Sequence, residues 1–177
     1  MREINERAAG IRLVIFDVDG VLTDGSLFID ADGRELKAFH SRDGHGMKLL
    51  QASGVDIGVI TGRTSEVVEH RMRSLGIEHV YQGRQEKLPA FLDLVGKLGL
   101  DPEQIAYVGD DVVDLPIMRR VGLAIAVQDA HSLVCQYAHW QTTLPGGHGA
   151  AREVCELIMA AQGSLDACMQ QYTSIPD

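Results

Sequence analysis

The sequence contains no apolar run approaching the roughly 20 residues that a membrane-spanning helix needs. Its first ten residues, MREINERAAG, alternate in charge where a secretory signal peptide would be apolar. We therefore expect a cytoplasmic protein with no membrane partner.

Cysteine and basic residues are both scarce. Cys135, Cys155 and Cys168 are odd in number and lack CxxC spacing, which argues against a disulfide framework or a zinc site. The 16 Lys and Arg residues stand against 25 Asp and Glu residues, which gives a net charge of −9. A nucleic-acid partner, which needs clustered positive charge, is not expected.

Hydrophobic residues make up 45% of the 177-residue chain, and they predict one globular domain spanning residues 1–177. They form four short continuous runs, typical of fully buried parallel strands, at 11–16, 55–60, 105–108 and 123–127. Amphipathic stretches of helical length lie at 43–52, 64–75, 85–98 and 111–120. This alternation predicts an α/β fold: a Rossmann-like, doubly wound parallel sheet with helices on both faces.

Two segments depart from this alternation. Residues 25–40 contain two short alternating runs around the turn signal ADGR, which predicts a β-hairpin flap. Near the other end, the glycine-rich turn 145–149 (PGGHG) precedes an apolar helix at about 150–161. A polar tail of little periodicity, about 162–177, follows.

Carboxylates follow the first predicted strand at Asp17 and Asp19. Ligands of a doubly wound sheet bind at the carboxyl ends of its strands. Two carboxylates placed there repel each other unless a cation lies between them, and Mg²⁺ prefers such oxygen ligands. Asp17 could then act as a nucleophile and form an aspartyl-phosphate. The alternative is that both residues only cap the following turn.

Three further strand ends or helix starts carry polar groups. Thr61, Gly62 and Arg63 open a helix and could cradle an anion with free N–H groups. Lys87 lies in the first turns of a helix, where a solvated surface charge is the alternative interpretation. The run GDDVVD (109–114) adds three carboxylates, among which Asp110 is the natural third metal ligand.

The ordered set DxDGxLTD, TGR, Lys and GDDxxD resembles the four motifs of the haloacid dehalogenase (HAD) superfamily. The resemblance implies a HAD-like fold, with Asp17 as nucleophile and Asp19 as general acid and then base. It further implies that Thr61 and Lys87 stabilise the phosphate. Mg²⁺ would be bound by Asp17, by Asp19 through its carbonyl and by Asp110, with Asp111 and Asp114 as supporting groups.

Only about two dozen residues separate Thr61 from Lys87, so no cap domain is expected. FDVDGVLTDG, the hairpin, the RDG segment, VITGR and GDDVVDLPIM together resemble the 3-deoxy-D-manno-octulosonate (KDO) 8-phosphate phosphatase family. That family implies a cytoplasmic homotetramer acting on a phosphorylated sugar acid in lipopolysaccharide synthesis. Its substrate contacts would be Asp19, His40, Ser41, Arg42, Asp43, Gly44, Lys48, Arg63, Arg71 and Lys87.

Three other functions remain open at this stage. A phosphatase for another sugar acid, such as a sialic-acid-type 9-phosphate, would share the same strand-end motifs. A phosphorylatable receiver module also uses aspartates and Mg²⁺, but it carries its metal acids and its phosphorylated Asp on separate strands. The third is a weakly catalytic scaffold, against which the intact Asp17, Asp19, Lys87 and Asp110 argue.

Overall fold

The computed structural model describes residues 1–173. The helices are α1 (Arg2–Ala9), α2 (Ser41–Ala52), α3 (Glu66–Leu75), α4 (Lys87–Leu98), α5 (Leu115–Met118), α6 (Ser132–Tyr137), α7 (Ala150–Ala161) and α8 (Leu165–Thr173). The strands are β1 (Leu13–Phe16), β2 (Phe28–Ile29), β3 (Glu35–Leu36), β4 (Asp56–Ile60), β5 (His79–Tyr81), β6 (Ile105–Gly109), β7 (Leu123–Ala126) and β8 (Trp140–Gln141). Residues 174–177 of the predicted tail lie outside the described residues.

Six strands form one parallel sheet in the order β5-β4-β1-β6-β7-β8. The chain therefore winds outward from β1 in one direction, then returns to β6 and winds in the other. Phe16 at the end of β1 aligns with Val59 of β4 and Val108 of β6, so the residues after these strands emerge side by side. This point of reversal is where doubly wound sheets bind ligands.

Helices cover both faces of the sheet. The four residues of β1 are all buried; Val14 and Phe16 pack toward α1, α2, α3 and α7, whereas Leu13 and Ile15 pack toward α4, α5 and α6. Because the strands are covered on both sides, their sequences are continuous apolar runs rather than alternating ones. The predicted α/β, doubly wound fold is confirmed.

The predicted hairpin is also present, as the antiparallel pair β2 and β3. The Asp30 carboxylate closes its turn by accepting hydrogen bonds from the N–H groups of Asp32 and Arg34. The hairpin is the only insertion between β1 and α2 in the described residues, and α3 and β5 fill the interval between β4 and α4. The expectation of a capless fold is therefore confirmed.

Several elements differ from the sequence-based expectation. Helices α1, α6 and α8 and strands β5 and β8 were not predicted. The single helix expected at 111–120 is a 3₁₀ turn, Val112–Asp114, followed by the short α5. It is broken because Asp111 caps the turn while the Asp114 side chain folds back to accept two main-chain N–H groups. Among residues 1–173, no helix is long and apolar enough to cross a membrane.

Candidate active site

The predicted strand-end residues meet in one cleft at the carboxyl edge of the sheet. Asp17 follows β1, Thr61 follows β4 and Asp110 follows β6, so the parallel register brings the three together. The cleft has a volume of about 190 Å³ and is lined by Asp17, Asp19, Thr61, Gly62, Arg63, Gln85, Lys87, Asp110, Asp111 and Val113.

Lys87 is buried in this cleft and is therefore not a solvated surface charge. As the first residue of α4, it directs its ammonium group inward, 2.6 Å from Oδ2 of Asp17 and 2.7 Å from Oδ1 of Asp114. Burial alone would lower the pKa of Lys87, but the two carboxylates outweigh it and raise the pKa. Lys87 thus carries a fixed positive charge beside Asp17.

Asp114 anchors Lys87 and is itself saturated with hydrogen bonds. Its Oδ1 accepts from Lys87 and, at 2.6 Å, from the Tyr107 hydroxyl. Its Oδ2 accepts from the N–H groups of Asp110 and Asp111 at 3.1 and 3.3 Å. Sequence reasoning missed Tyr107; the signal was a hydroxyl-bearing residue inside an otherwise aliphatic strand. We infer that Asp114 supports the site, because its oxygens are already occupied.

Three carboxylates crowd together next to Lys87. One oxygen from each of Asp17, Asp110 and Asp114 can be chosen so that all three lie within 4.8 Å of one another. Burial, opposed by Lys87 and reinforced by Asp114, raises the pKa of Asp17 to about 6. Burial, followed by the charges of Asp114 and Asp17, raises the pKa of Asp110 to about 8. Bringing these groups together is costly without a further cation.

The Asp110 carboxylate also has an unpaired buried oxygen. Within the described residues its Oδ1 has no hydrogen-bond partner. A buried acceptor without a partner is costly, and a hard divalent cation would satisfy it. Asp17 and Asp110 therefore fit a Mg²⁺ site, whereas Asp19 as a carbonyl ligand stays a prediction.

Asp19 is held by residues of the hairpin. Its Oδ1 pairs with the ammonium group of Lys37, and its Oδ2 lies 4.0 Å from Nε of Arg63. Oε1 of Glu35 forms ion pairs with both cations, 3.2 Å from Nζ of Lys37 and 2.9 Å from Nη2 of Arg63. Sequence reasoning missed Lys37 and Glu35, although their spacing of two places both on the same face of a strand.

Thr61 is buried at the end of β4, between the aspartates and the start of α3. Its N–H donates to the carbonyl of Tyr81, and its carbonyl accepts from the N–H of Arg84. The helix itself begins at Glu66, after the N-terminal capping position at Ser65. These contacts fix the main chain on which Thr61 and Gly62 face the cleft.

The predicted substrate contacts divide into three groups. Asp19, Arg63 and Lys87 line the cleft. His40, Asp43, Gly44 and Arg71 line a separate small pocket between α2 and α3. Ser41, Arg42 and Lys48 are exposed on α2. Within one chain the structure does not bring the second and third sets into the cleft, and their binding role stays a prediction.

The α2 start has structural contacts of its own. The Asp43 carboxylate accepts the N–H groups of Gly149 and Arg152, which ties α2 to α7. A Cβ at Gly44 would lie 2.3 Å from Nη2 of Arg71, so a larger residue would displace that guanidinium group. These contacts give Asp43 and Gly44 of the RDG segment structural roles that need no ligand.

The glycine-rich turn supports the loop that carries Asp19. The N–H of Gly147 donates to the carbonyl of Val21 at 2.9 Å. A Cβ at Gly146 would lie 1.8 Å from the carbonyl oxygen of Gly20, which forbids any larger residue there. The turn therefore packs directly against the loop that carries Asp19, a role that its sequence did not reveal.

Comparison with known proteins agrees with this geometry. A family model described as haloacid dehalogenase-like hydrolase matches residues 38–122. The KDO 8-phosphate phosphatase of Escherichia coli K12 is 49% identical over 169 residues, covering 96% of this chain and 90% of that protein. The corresponding Salmonella typhi protein is 50% identical, covering 93% and 88%. The chain belongs to the KDO 8-phosphate phosphatase family.

A solved structure from this family contains ligands. The Moraxella catarrhalis KDO 8-phosphate phosphatase superposes with a TM-score of 0.95 at 42% identity, covering 97% of this chain and 99% of that one. It was crystallised in complex with a magnesium ion, a phosphate ion and KDO. Family membership therefore supports the magnesium site that the carboxylates of this chain indicate.

Proposed function

We propose that this protein is a Mg²⁺-dependent phosphatase that hydrolyses KDO 8-phosphate to KDO and inorganic phosphate. The observation that carries the proposal is the buried Asp17 carboxylate at the reversal point of the sheet, held 2.6 Å from the Lys87 ammonium group. A receiver module would not need a second acid two residues away, whereas hydrolysis does. Asp19 occupies that position and lines the same cleft.

The reaction would proceed in two displacements at phosphorus. Asp17 attacks the phosphorus, the bond to the sugar oxygen breaks, and Asp19 gives that oxygen a proton. Asp19 then removes a proton from water, which attacks the aspartyl-phosphate and releases phosphate and free Asp17. Lys87 and Thr61 stabilise the equatorial phosphoryl oxygens in both steps.

The metal site would consist of the carboxylates of Asp17 and Asp110 and the main-chain carbonyl of Asp19. When bound, Mg²⁺ would neutralise the carboxylates and the developing charge on the phosphoryl group. Asp114 keeps Lys87 in place by accepting its hydrogen bond, and Asp114 is itself held by the hydrogen bond that the Tyr107 hydroxyl donates to it.

The hairpin favours assembly into the homotetramer that the family resemblance implied. Its large apolar side chains are solvent-exposed in the single chain: Leu27 (50%), Phe28 (52%), Ile29 (58%) and Leu36 (67%). Large apolar side chains exposed together on one short hairpin are typical of a protein interface. The open cleft would be closed by a neighbouring copy, which could bring α2 contacts such as Arg42 and Lys48 to the sugar acid.

We expect Phe28→Glu to reduce the mass of the assembly in light scattering from about four times the 19.3-kDa chain to a smaller species. A charge placed in an apolar interface would lose its hydration on assembly. The matched control is Leu92→Glu, which changes a similarly exposed side chain (57%) on α4. A wild-type protein that runs as a monomer would remove the assembly from the proposal.

The test of the activity is phosphate release with Mg²⁺ from a panel of esters. It contains KDO 8-phosphate, sialic-acid-type 9-phosphates, hexose 6-phosphates and p-nitrophenyl phosphate. We expect kcat/KM for KDO 8-phosphate to exceed the others by at least about 100-fold, roughly 2.7 kcal/mol of differential transition-state binding. A preference for a 9-phosphate would support the alternative sugar-acid phosphatase, and uniformly weak turnover would support the scaffold.

The proposed setting is the cytoplasm, in the synthesis of lipopolysaccharide precursors. The net charge of −9 opposes binding to nucleic acid. The positive charge that an anionic substrate needs is concentrated in the cleft, at Lys87 and Arg63.

A further inference from the structure

Lys37 lies outside the motifs predicted from the sequence, yet its ammonium group contacts a carboxylate of the site. Its side chain is 1% exposed and pairs with Oδ1 of Asp19 and Oε1 of Glu35. A buried ammonium ion loses its hydration and is tolerated where carboxylates replace the lost water contacts. The pair with Asp19 is therefore a fixed part of the site and differs from a screened surface ion pair.

We infer that Lys37 is a positioning residue that holds the Asp19 carboxylate in the orientation from which it protonates the leaving oxygen. The inference rests on the proposed phosphatase activity and adds to it a residue of the hairpin. Lys37 occupies Oδ1 of Asp19, so Oδ2 is the oxygen left to carry the transferred proton.

The step concerned is the first displacement. Asp17 forms a bond to phosphorus, the bond from phosphorus to the sugar oxygen breaks, and its electron pair goes to that oxygen. Asp19 enters this step protonated on Oδ2, with Oδ1 still accepting from Lys37, whose counter-ion is then Glu35. The proton on Oδ2 passes to the sugar oxygen, which leaves as the alcohol. Without Lys37, Asp19 would lose the contact that fixes its rotamer, and Arg63, 4.0 Å from Oδ2, would be its remaining cation. Misplacing a reacting group by about 1 Å can cost roughly 100-fold in rate.

Lys37 also connects the site to the apolar surface of the hairpin. Glu35 and Lys37 face Asp19 and Arg63, whereas Leu36 between them is 67% exposed on the opposite side. The β-strand alternation therefore gives this segment a polar face toward the site and an apolar face outward. Packing on the outer face would hold the inner face, and Lys37 with it, against Asp19.

The test compares two esters that differ in their need for a proton. In Lys37→Met, we expect kcat/KM for a sugar phosphate to fall by about 100-fold, the lower end of general acid catalysis. For p-nitrophenyl phosphate, whose phenolate leaves without protonation, we expect a fall of less than about fivefold. Equal falls on both esters, or no fall on either, would overturn the inference.

Two further variants keep the test decisive. Should Lys37→Met fail to fold or assemble, as judged by circular dichroism and light scattering, Lys37→Arg and Lys37→Gln carry the comparison. Lys37→Arg retains the cation, so its fall in kcat/KM should be the smaller one. In both variants the fall should again be larger for the sugar phosphate than for p-nitrophenyl phosphate. Equal falls on the two esters in both variants contradict the positioning role. Arg34→Met is the matched control, because Arg34 is 78% exposed at the hairpin turn.

Failure of the inference can be separated from failure of the proposed function. The wild-type panel decides whether KDO 8-phosphate is the preferred substrate. The comparison of leaving groups needs any alkyl phosphate that the wild-type protein hydrolyses, including a hexose 6-phosphate. A protein that prefers another sugar acid would therefore still reveal whether Lys37 positions Asp19.

Discussion

Replacing Asp17 with asparagine is expected to reduce kcat by at least about 10⁴-fold, because an amide cannot form the aspartyl-phosphate. The fold should survive the change. A buried charge left without a partner lowers the free energy of unfolding by about 3–5 kcal/mol. The Lys87 ammonium group avoids this cost in the variant, because it would keep Asp114 as a partner at 2.7 Å. The substitution also removes the repulsion between Asp17 and Asp114 that contributes to the raised pKa of Asp17.

The measurement is a single turnover with phosphate-labelled substrate, quenched in acid. Wild-type protein should carry label on the chain, and Asp17→Asn should carry none while retaining its wild-type circular dichroism spectrum and assembly. Asp101→Asn is the matched control, because Asp101 caps the 3₁₀ turn before β6, at the opposite edge of the sheet. Turnover near the wild-type rate in Asp17→Asn would exclude Asp17 as the nucleophile.

The central strands could be predicted because each is buried on both faces and therefore leaves a continuous apolar run. The edge strands leave no such signal. His79–Tyr81 is three half-buried residues, and Trp140–Gln141 is only two residues long. Both join the sheet through main-chain pairing with β4 and β7, which depends little on their side chains.

The residues of the site also divide into those that the sequence pattern could place and those that it could not. Asp17, Thr61 and Asp110 could be placed near one another because the parallel register fixes where strands end. Lys37 could not, because its contact with Asp19 requires the hairpin to fold back over the loop after β1. The spacing of Glu35 and Lys37 puts both on one face of the segment, but it does not indicate what that face contacts. The hydroxyl of Tyr107 was visible in the sequence, but its role depends on the Asp114 side chain folding inward, which the strand pattern does not predict.

Mg²⁺ is expected to stabilise the wild-type fold and to be required for turnover. An ion that binds the folded state at 100 times its Kd adds about 2.7 kcal/mol to the free energy of unfolding. For a chain of this size, that corresponds to a rise in Tm of roughly 5–10 °C. EDTA should reverse the rise and abolish activity, and added Mg²⁺ should restore both.

Asp110→Asn should remove the rise in Tm without destabilising the metal-free protein. Burial, followed by the charges of Asp114 and Asp17, raises the pKa of this carboxyl, so a neutral amide relieves both the desolvation and the repulsion. Asp101→Asn is the matched control, because Asp101 lies before β6, at the edge of the sheet opposite the carboxylate cluster. An equal Mg²⁺-dependent rise in both variants would mean that the ion binds away from the unpaired oxygen of Asp110, and that the cluster is held together by Lys87 alone.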